Sequence, residues 1–344
     1  MKGILTFLLT AGFGVAAMAQ DGDKTPYLTK SLANDAINKV VVETSAGGIM
    51  VTGKAGEAPR IEVYIRDNHG HELYHEEAQK RLEKNFDMNV KVNGHELDAI
   101  VKNKHDHMDW NNDGISISFK IYVPKDVSTD LKTSGGGIYL SDLSGEEDFK
   151  TSGGGLRINN LTGKIHGNTS GGGIDVENSS DEIELKTSGG GIIAKNCKGQ
   201  ISLLTSGGGV ELVNLIGTIN ARTSGGGVRG ERIEGELTAG TSGGGIDLTD
   251  IDCSLDAHTS AGSLNVEMKH VGKYLKVGSS AGNVRLKLPS QQGFDLTMTG
   301  ERISHHIASG FKGDWNDKHV NGSVNGGGIP VEVHSNNNID LRID

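Results

Sequence analysis

A few groups of residues in this 344-residue chain have types and spacings that could do chemistry. Asp109, Asn111 and Asp113, followed by Gly114, reproduce the first half of a calcium loop, with oxygen ligands at loop positions one, three and five and glycine at six. The bidentate glutamate due at position twelve is Lys120 instead, so a polar turn between strands is the expected use of this stretch. His69, His71 and His75, the pair His105 and His107, and the neighbours His305 and His306 could offer imidazoles to a metal. All lie in polar connecting segments, and solvated surface histidine is the expectation, with no metal and no cofactor. Cys197 and Cys253 are the only thiols; they read as small buried fillers, too far apart for a disulfide.

Enzyme chemistry finds little support in these residues. Cleavage of a polysaccharide needs clustered carboxylates and aromatic sugar platforms. Asp175 and Asp247 stand 72 residues apart, and Trp110 and Trp315 lie outside the regular part of the chain. The glycine runs open strands rather than helices, so they do not form a phosphate cradle. No catalytic residue is assigned, and the chain is expected not to be an enzyme.

What remains is a row. Thr-Ser-Gly-Gly-Gly-Ile at Thr133–Ile138 returns nearly letter for letter every 18 residues, with threonine at Thr151, Thr169, Thr187, Thr205, Thr223, Thr241 and Thr259. Its serines are Ser134, Ser152, Ser170, Ser188, Ser206, Ser224, Ser242 and Ser260. If the threonines point inward, these serines face out beside bare glycine backbone, a flat surface suited to a polysaccharide, an envelope protein or a second copy. The alternative is that serine and glycine serve only the corner they occupy.

The elements that would position such a row follow from the same period. Numbering each repeat from its threonine, position 6 is always apolar (Ile138, Leu156, Ile174, Ile192, Val210, Val228, Ile246, Leu264), and position 8 is apolar except at Gly230. Alternation with period two marks a half-buried strand. A second strand shows at positions 15 and 17, as in Ile183 with Leu185 and Ile201 with Leu203. Between the two lie an apolar residue at position 11 and a glycine at position 13 (Gly145, Gly163, Gly199, Gly217, Gly235). Three glycines per repeat exclude helix, since each costs roughly 1 kcal/mol in a helix interior. Strict periodicity without insertion predicts an all-β fold, a parallel β-solenoid (β-helix) of 18-residue coils. Stacking puts equal positions above one another. Position 7 reads Tyr139, Arg157, Asp175, Ile193, Glu211, Arg229, Asp247, Asn265, and adjacent charges there are opposite. Position 10 carries Asn160, Asn178, Asn196 and Asn214, an expected amide ladder. Glu234 and Asp252 at position 12 are the one like-charged pair.

Residues 1–19 read as a signal peptide, with Lys2, an apolar run and Ala17-Met18-Ala19 as the cleavage site. An exported protein follows, in the periplasm, on the outer surface or outside the cell, and not integral to the membrane. The formal charge of −10 argues against nucleic acid. Residues 20–132 are expected to hold degenerate coils, a cap and an insertion with one short helix near Glu72–Phe86; residues 133–290 form the regular solenoid. Residues 291–344 form degenerate coils and a cap, with a loop over 300–320 and an edge strand at Pro330.

With Ile121-Tyr122-Val123-Pro124 leading into the recurrent Ser-Gly-Gly-Gly steps, the chain resembles, over roughly residues 40–344, a β-strand-repeat family of bacterial envelope proteins of unknown function, labelled "putative adhesin". The resemblance implies a β-solenoid in an envelope or surface setting, and no catalytic residues. The expected function is a non-enzymatic, adhesin-like solenoid presenting a Ser/Thr/Gly surface. The alternatives are a polysaccharide-active β-helix enzyme and an envelope-stress or assembly component.

Overall fold

The computed structural model describes residues 25–54, 56–105, 114–307 and 310–344. The signal segment and the candidate calcium ligands Asp109, Asn111 and Asp113 lie outside the described residues, as does His107.

Each repeat folds into one coil with two strands, a short one over positions 6 to 9 (Ile138–Ser141, Leu156–Asn159, Ile174–Glu177, Ile192–Lys195) and a long one from position 12 to the next threonine (Ser144–Thr151, Thr162–Thr169, Ser180–Thr187, Lys198–Thr205). Both pair in parallel with their equivalents one repeat away, Ile174 opposite Ile192 and Thr169 opposite Thr187. From Val210 onward the two merge into single bent strands, Val210–Arg222, Val228–Thr241 and Ile246–Thr259. Positions 6 and 8 from one face and 15, 17 and 1 from the other fill a single buried core that runs the length of the stack. The longer eighth repeat is absorbed by a bulge in Leu264–Ser279, where pairing to the preceding strand slips between Cys253 and Leu255.

The corner at the glycine run has a steric cause. A Cβ built at position 4 would lie 2.1 Å from the carbonyl oxygen of the equivalent glycine one coil back at Gly154 and Gly172, and 1.9 Å from it at Gly262. At position 3 the nearest atom to such a Cβ is 3.5 Å away at Gly153. Accordingly position 3 accepts Ala46, Ala261 and Ala281, position 5 accepts Ser263 and Asn283, and position 4 remains glycine in the same coils.

The opposite corner uses backbone handedness. Asp142, Asn160, Asn178, Asn196, Asn214, Arg232 and Asp250, all at position 10, have φ between 53° and 59°, the left-handed region that asparagine and aspartate tolerate best among residues with a side chain. The amides also stack: Asn160 Nδ2 donates to Asp142 Oδ1 at 2.6 Å, Asn196 to Asn178 at 3.3 Å and Asn214 to Asn196 at 2.8 Å.

At both ends the order of coils in space departs from their order in sequence. The last two strands, Ile329–Ser335 and Asn338–Ile343, slot between the segments Leu275–Ser279 and Val284–Leu288 on one side and the strands Phe294–Thr299 and Arg302–Ile307 on the other. At the other end Lys39–Thr44 and Ile49–Gly53 slot between the first repeat and the later strands Glu96–Asn103 and Ile115–Val123. Antiparallel strands then cover the outermost rungs: Arg60–Asp67, itself covered by Leu28–Ser31, and Phe86–Asn93 at one end, His319–Val324 and Phe311–Trp315 at the other. Two expectations are corrected here. Residues 300–320 are largely strand instead of loop, because they supply a terminal rung and its cover. Pro330 is the second residue of a strand paired on both sides; its missing donor is tolerated because pairing toward the eighth repeat starts only at Val331.

The helix, α1 (His75–Asn85), is shorter than expected, since Phe86 already turns to extended backbone. It buries Ala78 and Leu82 against the core and exposes its charged face, with Arg81 Nε 2.7 Å from Glu77 Oε1.

Position 15, otherwise apolar in the regular repeats, holds Glu147 in the first, fully buried. Its Oε2 accepts a hydrogen bond from Thr129 Oγ1 at 2.5 Å, and Oε1 has no partner. Burial raises its carboxyl to about 7, against the downward pull of the Thr129 hydroxyl.

Two predictions follow from these packing relations. Gly154→Ala is expected to destabilise the protein by about 1–3 kcal/mol or more, while Gly153→Ala stays within about 0.5 kcal/mol; urea midpoints compare them. For Glu147 the folded-state value lies above the ordinary one, so its contribution is fully present below about pH 4.5 and is lost as pH rises to about 7. Glu147→Gln should remove that decline, and relative to wild type gain on the order of 3 kcal/mol between pH 4 and pH 8, read as the difference in unfolding free energy.

Candidate functional site

The repeated threonine is buried, at most 7% exposed in any of the eight repeats, and its hydroxyl explains the motif. Thr169 Oγ1 donates to the Gly154 carbonyl at 2.7 Å and accepts from the Gly172 amide at 3.3 Å. The donation recurs from Thr151 to Gly136, Thr187 to Gly172, Thr205 to Gly190, Thr223 to Gly208, Thr241 to Gly226 and Thr259 to Gly244, all at 2.6–2.7 Å. Ser279 and Ser335 take over the role in the two coils that follow, bonding Gly262 and Gly282 at 2.8 Å. The close approach that forbids a side chain at position 4 is therefore the approach that brings a carbonyl within reach of the hydroxyl.

Because the threonine points in, the next residue points out. Ser134, Ser152, Ser170, Ser188, Ser206, Ser224, Ser242 and Ser260 are all exposed. Among the described residues none of these hydroxyls has a hydrogen-bond partner. Their backbone continues the ladder, with the Gly171 amide donating to the Ser152 carbonyl and the Gly189 amide to the Ser170 carbonyl, both at 2.9 Å. The row forms one margin of the outward face of the long-strand sheet, spaced at about 4.8 Å per coil.

The other sequence candidates fall elsewhere. His71 Nδ1 lies 3.1 Å from Asp67 Oδ2, and its ring stacks on His69 with centroids 6.1 Å apart. His75 instead stacks on Tyr27 at 4.7 Å. His305 packs on Trp315 with centroids 3.7 Å apart, and Phe311 meets the same ring edge-on in the end cover. Among the described residues no group of three or more His, Cys, Asp or Glu side chains is placed to hold a metal ion. Asp175 and Asp247 sit four coils apart in the position 7 column. Cys197 and Cys253 are buried free thiols, and burial pushes them up to about 11 and about 12, which keeps them in the unreactive protonated form. The like-charged pair Glu234 and Asp252 is followed in its column by His270, whose Nδ1 is 3.1 Å from Asp252 Oδ1.

One feature had no single-residue signal in the sequence. The bulge in the eighth repeat lays Tyr274 back over two coils, where its hydroxyl donates to Glu236 Oε1 at 2.9 Å. Burial, then that carboxylate, raises the phenol to about 12.

The Toastrack model, DUF4097, matches residues 37–341. The chain belongs to this family. No curated protein sequence matches it. Among solved structures, a "putative cell adhesion protein" from Clostridium sporogenes is 11% identical, covering 92% of this chain and 98% of its own, with a TM-score of 0.25. A "putative lipid binding protein" from Parabacteroides distasonis is 15% identical over 91% and 96%, with a TM-score of 0.30. A "putative adhesin" from Bacteroides fragilis is 11% identical over 92% and 96%, with a TM-score of 0.22. Likeness at these scores carries no argument, and the Toastrack assignment rests on the family match. Among the described residues no helix of this Toastrack chain is long and apolar enough to cross a membrane.

The ladder can be tested directly. Thr187→Val should cost about 1–2 kcal/mol by removing a buried donor to the Gly172 carbonyl, whereas Thr187→Ser, which keeps the hydroxyl as Ser279 does, should cost clearly less; thermal unfolding of the two variants measures the difference.

Proposed function

We propose that this Toastrack protein is a non-enzymatic, exported component of the cell envelope, and that its outward serine row with the adjoining glycine backbone is the contact surface for a polysaccharide or an envelope protein. One observation carries the reading: eight exposed hydroxyls, none with a partner among the described residues, recur at the same position of successive in-register coils. Their repeat of about 4.8 Å is set by strand spacing and does not depend on flexible side chains. A surface of this kind meets an extended, hydroxyl-rich polymer without ordering long side chains, which lowers the entropic cost of contact. The family resemblance and the apolar segment at residues 4–17 support the envelope setting.

Replacing Ser152, Ser170, Ser188 and Ser206 together by Lys is expected to abolish adsorption to cell-wall polysaccharide while the circular dichroism spectrum stays that of the wild type. Unchanged adsorption by the quadruple variant overturns the proposed face.

A further inference from the structure

The outward face forms a groove where the eighth repeat meets the intercalated C-terminal rung. The groove has a volume of about 540 Å³, and its lining includes His258, Lys276, Gly278, Ser280, Glu332 and His334. Its origin is the register. Gly278 pairs with His258 on one side and with His334 on the other, so a residue without a side chain stands between two imidazoles in one column. Lys276, two residues back along the strand, projects to the same face, and Ser280, just past the strand's end, lines the remaining side. The result is a notch whose floor is bare backbone and whose walls are His258, His334, Lys276 and Ser280.

The imidazole of His258 leans over this floor: a Cβ on Gly278 would lie 2.8 Å from its Cδ2 and 3.2 Å from its Nε2. Its Nδ1 is held 2.5 Å from Asp256 Oδ1, which leaves Nε2 turned toward the notch. Lys276 Nζ is 3.8 Å from Glu332 Oε2, too long for a strong charge-assisted bond, so the ammonium keeps donors to spare. Beyond the notch the groove carries the hydroxyls of Ser260, Ser280, Thr297 and Thr299, none of which has a partner among the described residues. A lone anion would not fill such a space, and its walls offer a carboxylate-sized cluster of donors next to several free hydroxyls.

We propose that the notch over Gly278 is the acid-sugar subsite of this face: it takes a saccharide residue bearing a carboxylate, with Lys276 and His334 around the carboxylate, and His258 Nε2 with the Ser and Thr hydroxyls on the ring. This rests on the reading of the outward face as a polysaccharide-contacting surface. It adds the ligand's charge and the place where that charge is read.

The test titrates the full chain with trigalacturonate and with its methyl ester, which has the same shape and no charge, by isothermal calorimetry. Trigalacturonate is expected to bind at least about tenfold more tightly than the ester, and the double change Lys276→Met with His334→Gln to bring it down to the level of the ester with the fold intact by circular dichroism. Equal affinity for acid and ester, no binding of the acid, or an unaffected double variant overturns the proposal. A control on the opposite, short-strand sheet, Arg157→Gln, lies outside both the serine row and the groove and should leave trigalacturonate binding unchanged. Failure at the groove together with lost polysaccharide adsorption in the serine-row variants would leave the row standing and remove only the subsite.

Discussion

The whole stack depends on one contact, the buried threonine hydroxyl bonded to a glycine carbonyl one coil below. In a solenoid with short strands, backbone pairing alone leaves the tight corner with polar groups turned toward an apolar interior. An unpaired buried carbonyl there would cost about 1–3 kcal/mol in every coil. Here the corner closes so tightly that its carbonyl lies where a side chain at position 4 of the next coil would begin. The threonine that satisfies it is consequently buried, and strand alternation then sends the following serine to the surface. The outward row is thus a geometric consequence of how the corner is satisfied, which is why it recurs once per coil in register.

The second constraint concerns the ends. A parallel stack exposes unpaired strand edges at both termini, an invitation to end-to-end association. This chain answers in the same way twice. A segment remote in sequence is slotted in as the penultimate rung, and the outermost rung is covered by antiparallel strands whose direction does not continue the parallel pattern. The helix α1 and the ring cluster of His305, Phe311 and Trp315 belong to these covers. Intercalation also joins the C-terminal rung to the eighth repeat, and that junction carries the groove over Gly278.

How much of this could be read from the letters depends on the scale of the cause. Strand positions, inward and outward faces and in-register stacking were legible because each is written as an apolar or small-residue column repeated eight times, as Ile174 above Ile192 illustrates. The asparagine column was legible as a ladder, but its left-handed backbone was not, because nothing in a single Asn178 separates a stacking role from a turn role. The necessity of the middle glycine was hidden in a contrast visible only once the coils are superposed: Ala261 is admitted at position 3, and Gly262 is retained at position 4. The intercalated rungs were not legible, since pairing between Val331 and Leu275 depends on chain direction at the cap and not on local composition. The burial of Glu147 was not legible from a charged letter alone; its column, apolar in the other regular repeats, is what places it inside. The groove at Gly278 depends on His258 and His334, 76 residues apart in sequence and brought into one column only by the intercalation.

The most direct measurement of the account is a pair of distances along the serine row. Spin labels at Ser134 and Ser224, five coils apart, and at Ser134 and Ser260, seven coils apart, should give pulsed electron-spin distances of about 24 Å and about 34 Å, a constant increment per coil. Distances that fail to grow in proportion to the number of coils would contradict in-register stacking, and with it the ladder, the row and the groove.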